Sequence, residues 1–142
     1  MRKILFYALI VVIVFILCGC GNTDTTIYEV FTGDNVKITI DKSDGYNISS
    51  DNNFIISKKD QDVCFGKFIT MIDYEARFKN INSGDVKLLD SGDSFKISYT
   101  MYFDDSYNYL IKIQNSNTGV LINSSSQDNL KGCFDHIKIS LE

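Results

Sequence analysis

The chain has 142 residues, with 14 Lys and Arg against 18 Asp and Glu, for a formal net charge of −4. That balance argues against a surface built to hold nucleic-acid phosphates. A hydrophobic content of 44% with 13% aromatics excludes disorder over most of the chain, and the length suits one domain.

Arg2 and Lys3 precede a continuous apolar run from Ile4 to Leu17. At about 1.5 Å rise per residue, this run falls well short of a hydrocarbon core roughly 30 Å thick. A positive start, a short apolar stretch and an ending in small residues form the layout of a secretory signal. The ending, Leu17-Cys18-Gly19-Cys20, resembles the bacterial lipobox: a small residue, Gly19, stands before the acceptor cysteine and an aliphatic one, Leu17, three before it. Cys18 does not fit as acceptor, because the residue before it, Leu17, is too bulky. The resemblance implies a diacylglyceryl thioether on Cys20 and cleavage just before it. Residues 1–19 would then be a lipoprotein signal peptide. The mature protein would sit on the extracytoplasmic face of the cell membrane, held through its lipid. A plain signal anchor with incidental cysteines is the alternative. Losing Arg2 and Lys3 leaves 12 basic residues against 18 acidic ones, a net charge of −6, which argues against attraction to anionic headgroups. The lipid would do the anchoring alone: one acyl chain binds reversibly and two hold stably.

Residues 20–26 are small and polar and read as a lipidated tether, so a single α+β domain is expected over 27–142. "VKITI" at 36–40 alternates apolar and polar residues, the pattern of a half-buried strand. Asp44-Gly45 marks a turn, and "YNIS" and "NFIISKK" are the next strands. "DVCFGKFITMI" at 62–72 is a longer mixed run in which Gly66 suggests a bulge or kink. Tyr74, Phe78 and Ile81 fall on one helical face, and Ser83-Gly84-Asp85 ends that helix. "VKLLD", a turn at Ser91-Gly92-Asp93, and the alternating "FKISYTMYF" at 95–103 follow. "DDS" then closes a hairpin to "YNYLIKI", and "NSNTG" turns into "VLINS". Leu130, Cys133, Phe134, Ile137 and Leu141 form a helical stripe to the C-terminus, with Ser125 and Asp128 as its capping box.

The expected fold is thus an antiparallel β-sheet with a short mid-chain helix and a C-terminal helix packed on it, Phe134 and Ile137 making the contact. A strand, the "DGY" turn, further strands, a helix, aromatic meander strands and the closing "FDHIKISL" resemble the PsbP-like α/β/α sandwich found in small bacterial lipoproteins. The Pro and Trp of that family's usual first turn are absent, the turn here being "DKSDGYNI". The resemblance implies a fold that mostly serves as a non-catalytic adapter. Together with the lipobox, the acidic mature domain and the missing catalytic constellation, the expectation is a non-catalytic binding or adapter module with an unidentified protein partner, no cofactor and no nucleic acid.

Chemistry is sparse in the residues themselves. The chain has one histidine, His136, and no nucleophile elbow, phosphate-cradling loop or paired-His zinc helix. Asp104 and Asp105 could join Asn108 in a calcium loop, yet neighbouring Asp residues in a hairpin are ordinary turn chemistry. Asp60 and Asp62 are spaced to share a strand face with no third ligand near, so no metal is expected. Cys64 and Cys133 survive processing. An oxidising compartment permits a bridge between them, while two buried free thiols on core faces are the alternative. Tyr102 lies out of phase with Tyr99; it is a candidate binding patch if its sheet face is open, and core if a helix covers that face. Two further classes stay open: an immunity-type inhibitor of a secreted toxin, and a metal- or carboxylate-assisted hydrolase using Asp60, Asp62, Asp104 or Asp105.

Overall fold

The structure is a computed structural model that describes residues 22–50 and 53–142. Within those residues the elements run β1 (Thr23–Glu29), β2 (Asn35–Asp41), a 3-10 turn at Ser43–Gly45, β3 (Tyr46–Ser50), β4 (Phe54–Lys58) and β5 (Gln61–Thr70). Then come α1 (Met71–Ser83), β6 (Lys87–Ser94), β7 (Ile97–Asp104), β8 (Ser106–Ile113), β9 (Thr118–Ser124), α2 (Gln127–His136) and β10 (Ile137–Leu141). This is an α+β fold of antiparallel strands and two helices, as the patterning anticipates. The strands form a seven-stranded sheet, β3-β4-β5-β9-β8-β7-β6, and a three-stranded sheet, β1-β2-β10.

The large sheet has a helix on each face. Alternation along β7 and β8 sends Met101, Tyr109 and Ile111 to one side and Tyr102 and Leu110 to the other. The first side is the main core, closed by α2 and by the small sheet, whose Val36, Ile38 and Ile40 are fully buried. The second side is covered by α1, with Tyr74 and Ile81 against Ile69, Tyr102, Leu110 and Leu121. Thr70 starts α1 by accepting a hydrogen bond from the Asp73 amide at 3.1 Å. Gly84 ends it at φ 87°, a left-handed conformation that glycine adopts without steric cost.

Several expectations are corrected. The terminal helix stops at His136, and Ile137–Leu141 is a strand paired antiparallel with β2. The residues "IKISL" satisfy two periods at once. Ile137 and Ile139 are β-branched and alternate with Lys138 and Ser140, and pairing beside β2 buries both isoleucines. Ile137 therefore packs from β10, while Leu130 and Cys133 are the fully buried residues of α2. Its cap is Ser126, which accepts from the Asn129 amide at 3.3 Å, and not Ser125.

The tether expected over 20–26 is corrected from Thr23 onward, where β1 begins. Its threonines give no apolar alternation but are β-branched, and Thr25 and Thr39 pair their hydroxyls across the sheet at 3.0 Å. The turn expected at Ser91-Gly92-Asp93 is strand: Gly92 pairs with Tyr99, and the chain reverses at Phe95-Lys96. The irregularity in β5 lies at Val63, where the register against β4 slips, and not at Gly66.

Candidate functional site

The chemistry-bearing residues scatter. Lys59 and Asp60 both have positive φ and form the two-residue turn between the paired Lys58 and Gln61. Asp105 occupies the β7–β8 turn at φ 55°. The Asn108 side chain donates to the Ser106 carbonyl at 2.8 Å, bracing that turn from within. Among the described residues, no group of three or more His, Cys, Asp or Glu could hold a metal ion.

His136 closes α2. Its Nδ1–H donates to the Gly132 carbonyl at 2.7 Å, its ring stacks on Tyr46 with centroids 4.0 Å apart, and Nε2 lies 3.4 Å from Asp44 Oδ2. These contacts tie the end of α2 to the Ser43–Gly45 turn.

Cys64 of β5 and Cys133 of α2 are joined by a disulfide, with Cα atoms 6.8 Å apart and both residues fully buried. Of the two arrangements open from sequence, the structure holds the bridged one. It links α2 to the face of the large sheet toward which Cys64 points.

Tyr102 is only 5% exposed and lies beneath α1 with Leu110 and Leu121, so the candidate patch there is corrected to core. Burial pushes its hydroxyl pKa up, with Arg77 nearby opposing the shift. The cysteines of the proposed lipobox, Cys18 and Cys20, and with them Leu17 and Gly19, lie outside the described residues. Among the described residues, no helix is long and apolar enough to cross a membrane.

What the structure does assemble is a groove of about 580 Å³ between β10 and the tip of the β6–β7 hairpin. Its walls come from three separated stretches: Lys37 and Thr39 of β2, Ser94 to Ile97 at the hairpin tip, and Phe134 and Asp135 with Ile137 to Ser140. Lys37, Lys96 and Lys138 line it against a single acid, Asp135, so it is basic on a chain that is acidic overall. Its floor is apolar, with Phe134 stacked on Tyr109 at 4.2 Å. At its rim Phe95 is 91% exposed at φ 29°, held outward by the tight hairpin. Sequence reasoning missed this groove, since no local pattern joins Lys37, Lys96 and Lys138. The one available signal was the alternation in "IKISL".

A second hollow of about 500 Å³ is lined by residues that include Tyr28, Phe31, Ser50 and Phe68. Comparison with protein-family models, curated proteins and solved structures yields no match.

Proposed function

We propose that the protein is a membrane-anchored extracytoplasmic lipoprotein whose domain acts as a non-catalytic binding or adapter module. The observation that carries this reading is Leu17-Cys18-Gly19-Cys20 at the end of a short apolar run behind Arg2 and Lys3. The Cys64–Cys133 bridge supports export, because disulfides persist in oxidising compartments outside the cytosol. β1 begins three residues beyond Cys20, a length of chain that reaches at most about 10 Å. A lipid on Cys20 would therefore hold the domain close against the bilayer, and its partners would be met at the membrane surface. A seven-stranded antiparallel sheet with a helix on each face supports a PsbP-like kinship, which fits an adapter role. The test is detergent partitioning with mass spectrometry of the N-terminal peptide. Cys20→Ala abolishes lipid attachment and Cys18→Ala preserves it; an unmodified mature Cys20 in the native protein rejects the reading.

A further inference from the structure

Among the described residues the three-stranded sheet ends at β10, and the direction of the backbone groups on that edge follows from register. Ser140 pairs with Lys37 and Leu141 with Val36, and the Glu142 amide donates to the Asn35 carbonyl at 3.0 Å. In an antiparallel ladder hydrogen-bonded and non-hydrogen-bonded pairs alternate. Lys138, Ser140 and Glu142 therefore bond to β2, while Ile139 and Leu141 turn their N–H and C=O groups away from it. Those groups point to the side on which the basic groove lies. The side chains alternate in the other sense. Ile137 and Ile139 face the core, and Lys138 stands on the outer surface with Lys37, on neighbouring strands.

From this geometry we infer that the groove is a strand-addition site for an extended acidic segment of a partner protein, paired with the free edge of β10. The inference rests on the binding-module reading and names the chemistry of its partner. A strand laid beside β10 obtains main-chain hydrogen bonds from Ile139 and Leu141, and its side chains alternate between two environments. One set meets the apolar floor at Ile137, Ile139 and Phe134, under the exposed Phe95 ring. The other set meets Lys138, Lys37 and Lys96. The matching ligand alternates apolar residues with Asp or Glu. The edges of β1 and β6 do not suit such a ligand: β1 carries Asp24 and Glu29, and β6 carries Asp90 and Asp93 and a register slip at Leu89. A second copy at this edge would bring its own Lys138 to a wall already lined by Lys37, Lys96 and Lys138, so charge favours a different, acidic chain.

The probe is a blocked octapeptide of four Glu-Val repeats, added to the full chain in detergent micelles. Binding is read by fluorescence anisotropy, and hydrogen exchange is followed at single amides. The expected result is saturable binding that slows exchange at Ile139 and Leu141, with a Lys-Val octapeptide left unbound. Methylating alternate peptide nitrogens removes the donors a new strand needs, and affinity falls at least tenfold. The exposed double variant Lys96→Glu/Lys138→Glu, which leaves the core untouched, loses at least tenfold as well. Absence of binding, equal binding of the methylated peptide, or protection at the β1, β3 or β6 edge overturns the proposal. So does protection of Ile139 by self-association without peptide, which would assign the edge to a second copy. Partitioning of the same preparation reads the Cys20 anchor independently. A lipidated chain that ignores the peptide removes this site alone, and an unlipidated chain that captures it removes the anchor alone.

Discussion

Phe54 lies across Gly66, its antiparallel partner on β5, so closely that a Cβ at position 66 would overlap the aromatic ring. The glycine leaves a slot in the sheet and the phenylalanine, 1% exposed, fills it while touching Phe68 and Tyr28 with ring centroids 5.6 and 6.0 Å away. Gly66→Ala should destabilise the domain by about 1–3 kcal/mol, because a packed core has no room for the methyl. Urea unfolding measures it. A midpoint equal to the parent's would show that Phe54 moves aside freely.

The Cys64–Cys133 bridge spans a sequence separation of 69 residues. In the chain-entropy model, closing a loop of that length stabilises by about 4 kcal/mol. The unreduced protein, denatured and titrated, should show neither residue as a free thiol. Cys64→Ala/Cys133→Ala should unfold at distinctly lower denaturant. Two titratable thiols at these positions would contradict the bridge.

Asp34, in the β1–β2 connection, reaches across to the β8–β9 turn. Its Oδ2 accepts from the Asn117 amide and from the Thr118 hydroxyl, each at 2.7 Å, and Thr118 is fully buried. This carboxylate connects the small sheet to the large one. Asp34→Ala leaves the Asn117 amide and the Thr118 hydroxyl without this acceptor and should cost about 1–3 kcal/mol. Thermal unfolding tests it, and a loss below about 0.5 kcal/mol would place the junction's stability elsewhere.

Burial pushes the Tyr109 hydroxyl up to about 12, with Asp90, Tyr99 and Asp135 adding in the same direction. Burial also raises Tyr28, Tyr74 and Tyr102. An unfolded tyrosine ionises near 10, so above that pH the unfolded chain releases protons that the folded one keeps. This contribution to stability is complete below pH of about 10 and is lost as pH rises toward 12. Absorbance titration at 295 nm should show Tyr109 among the last to ionise, and Tyr109→Phe should remove that late step. Ionisation of all tyrosines together near 10, with the fold intact, would contradict it.

Local signals were strongest where one period had no rival. Tyr74, Phe78 and Ile81 recur only at helical spacing, and Gly84 follows them, so α1 and its end were legible. β7 was legible because Phe95 to Met101 alternate without interruption, and β8 because Tyr107, Tyr109, Ile111 and Ile113 share one face; the hairpin at Asp104 to Ser106 follows from them. Reading failed where two periods overlapped, as in Phe134 to Leu141. Leu141 fits the helical stripe from Leu130, and it also fits the strand beginning at Ile137. Only β2, almost 100 residues earlier in the chain, decides between them, by offering an edge to pair with. The same distance hid the groove, whose lysines become neighbours through β2–β10 pairing and the turn at Phe95-Lys96.

The α+β class, the order of most strands, α1 and its glycine stop, and the acidity of the chain are legible in the residues alone. These are properties of single segments: side-chain period, turn chemistry and charge are written within a few residues of one another. That Tyr102 is covered, that Cys64 meets Cys133, that Ile137 to Leu141 pair with β2 and that one surface groove is basic emerge only from the folded chain. Each of those depends on which segments pack together, and packing is settled by the burial of whole faces across the sheet. A residue's neighbours in space are then set by register and layer, which no local pattern around that residue contains.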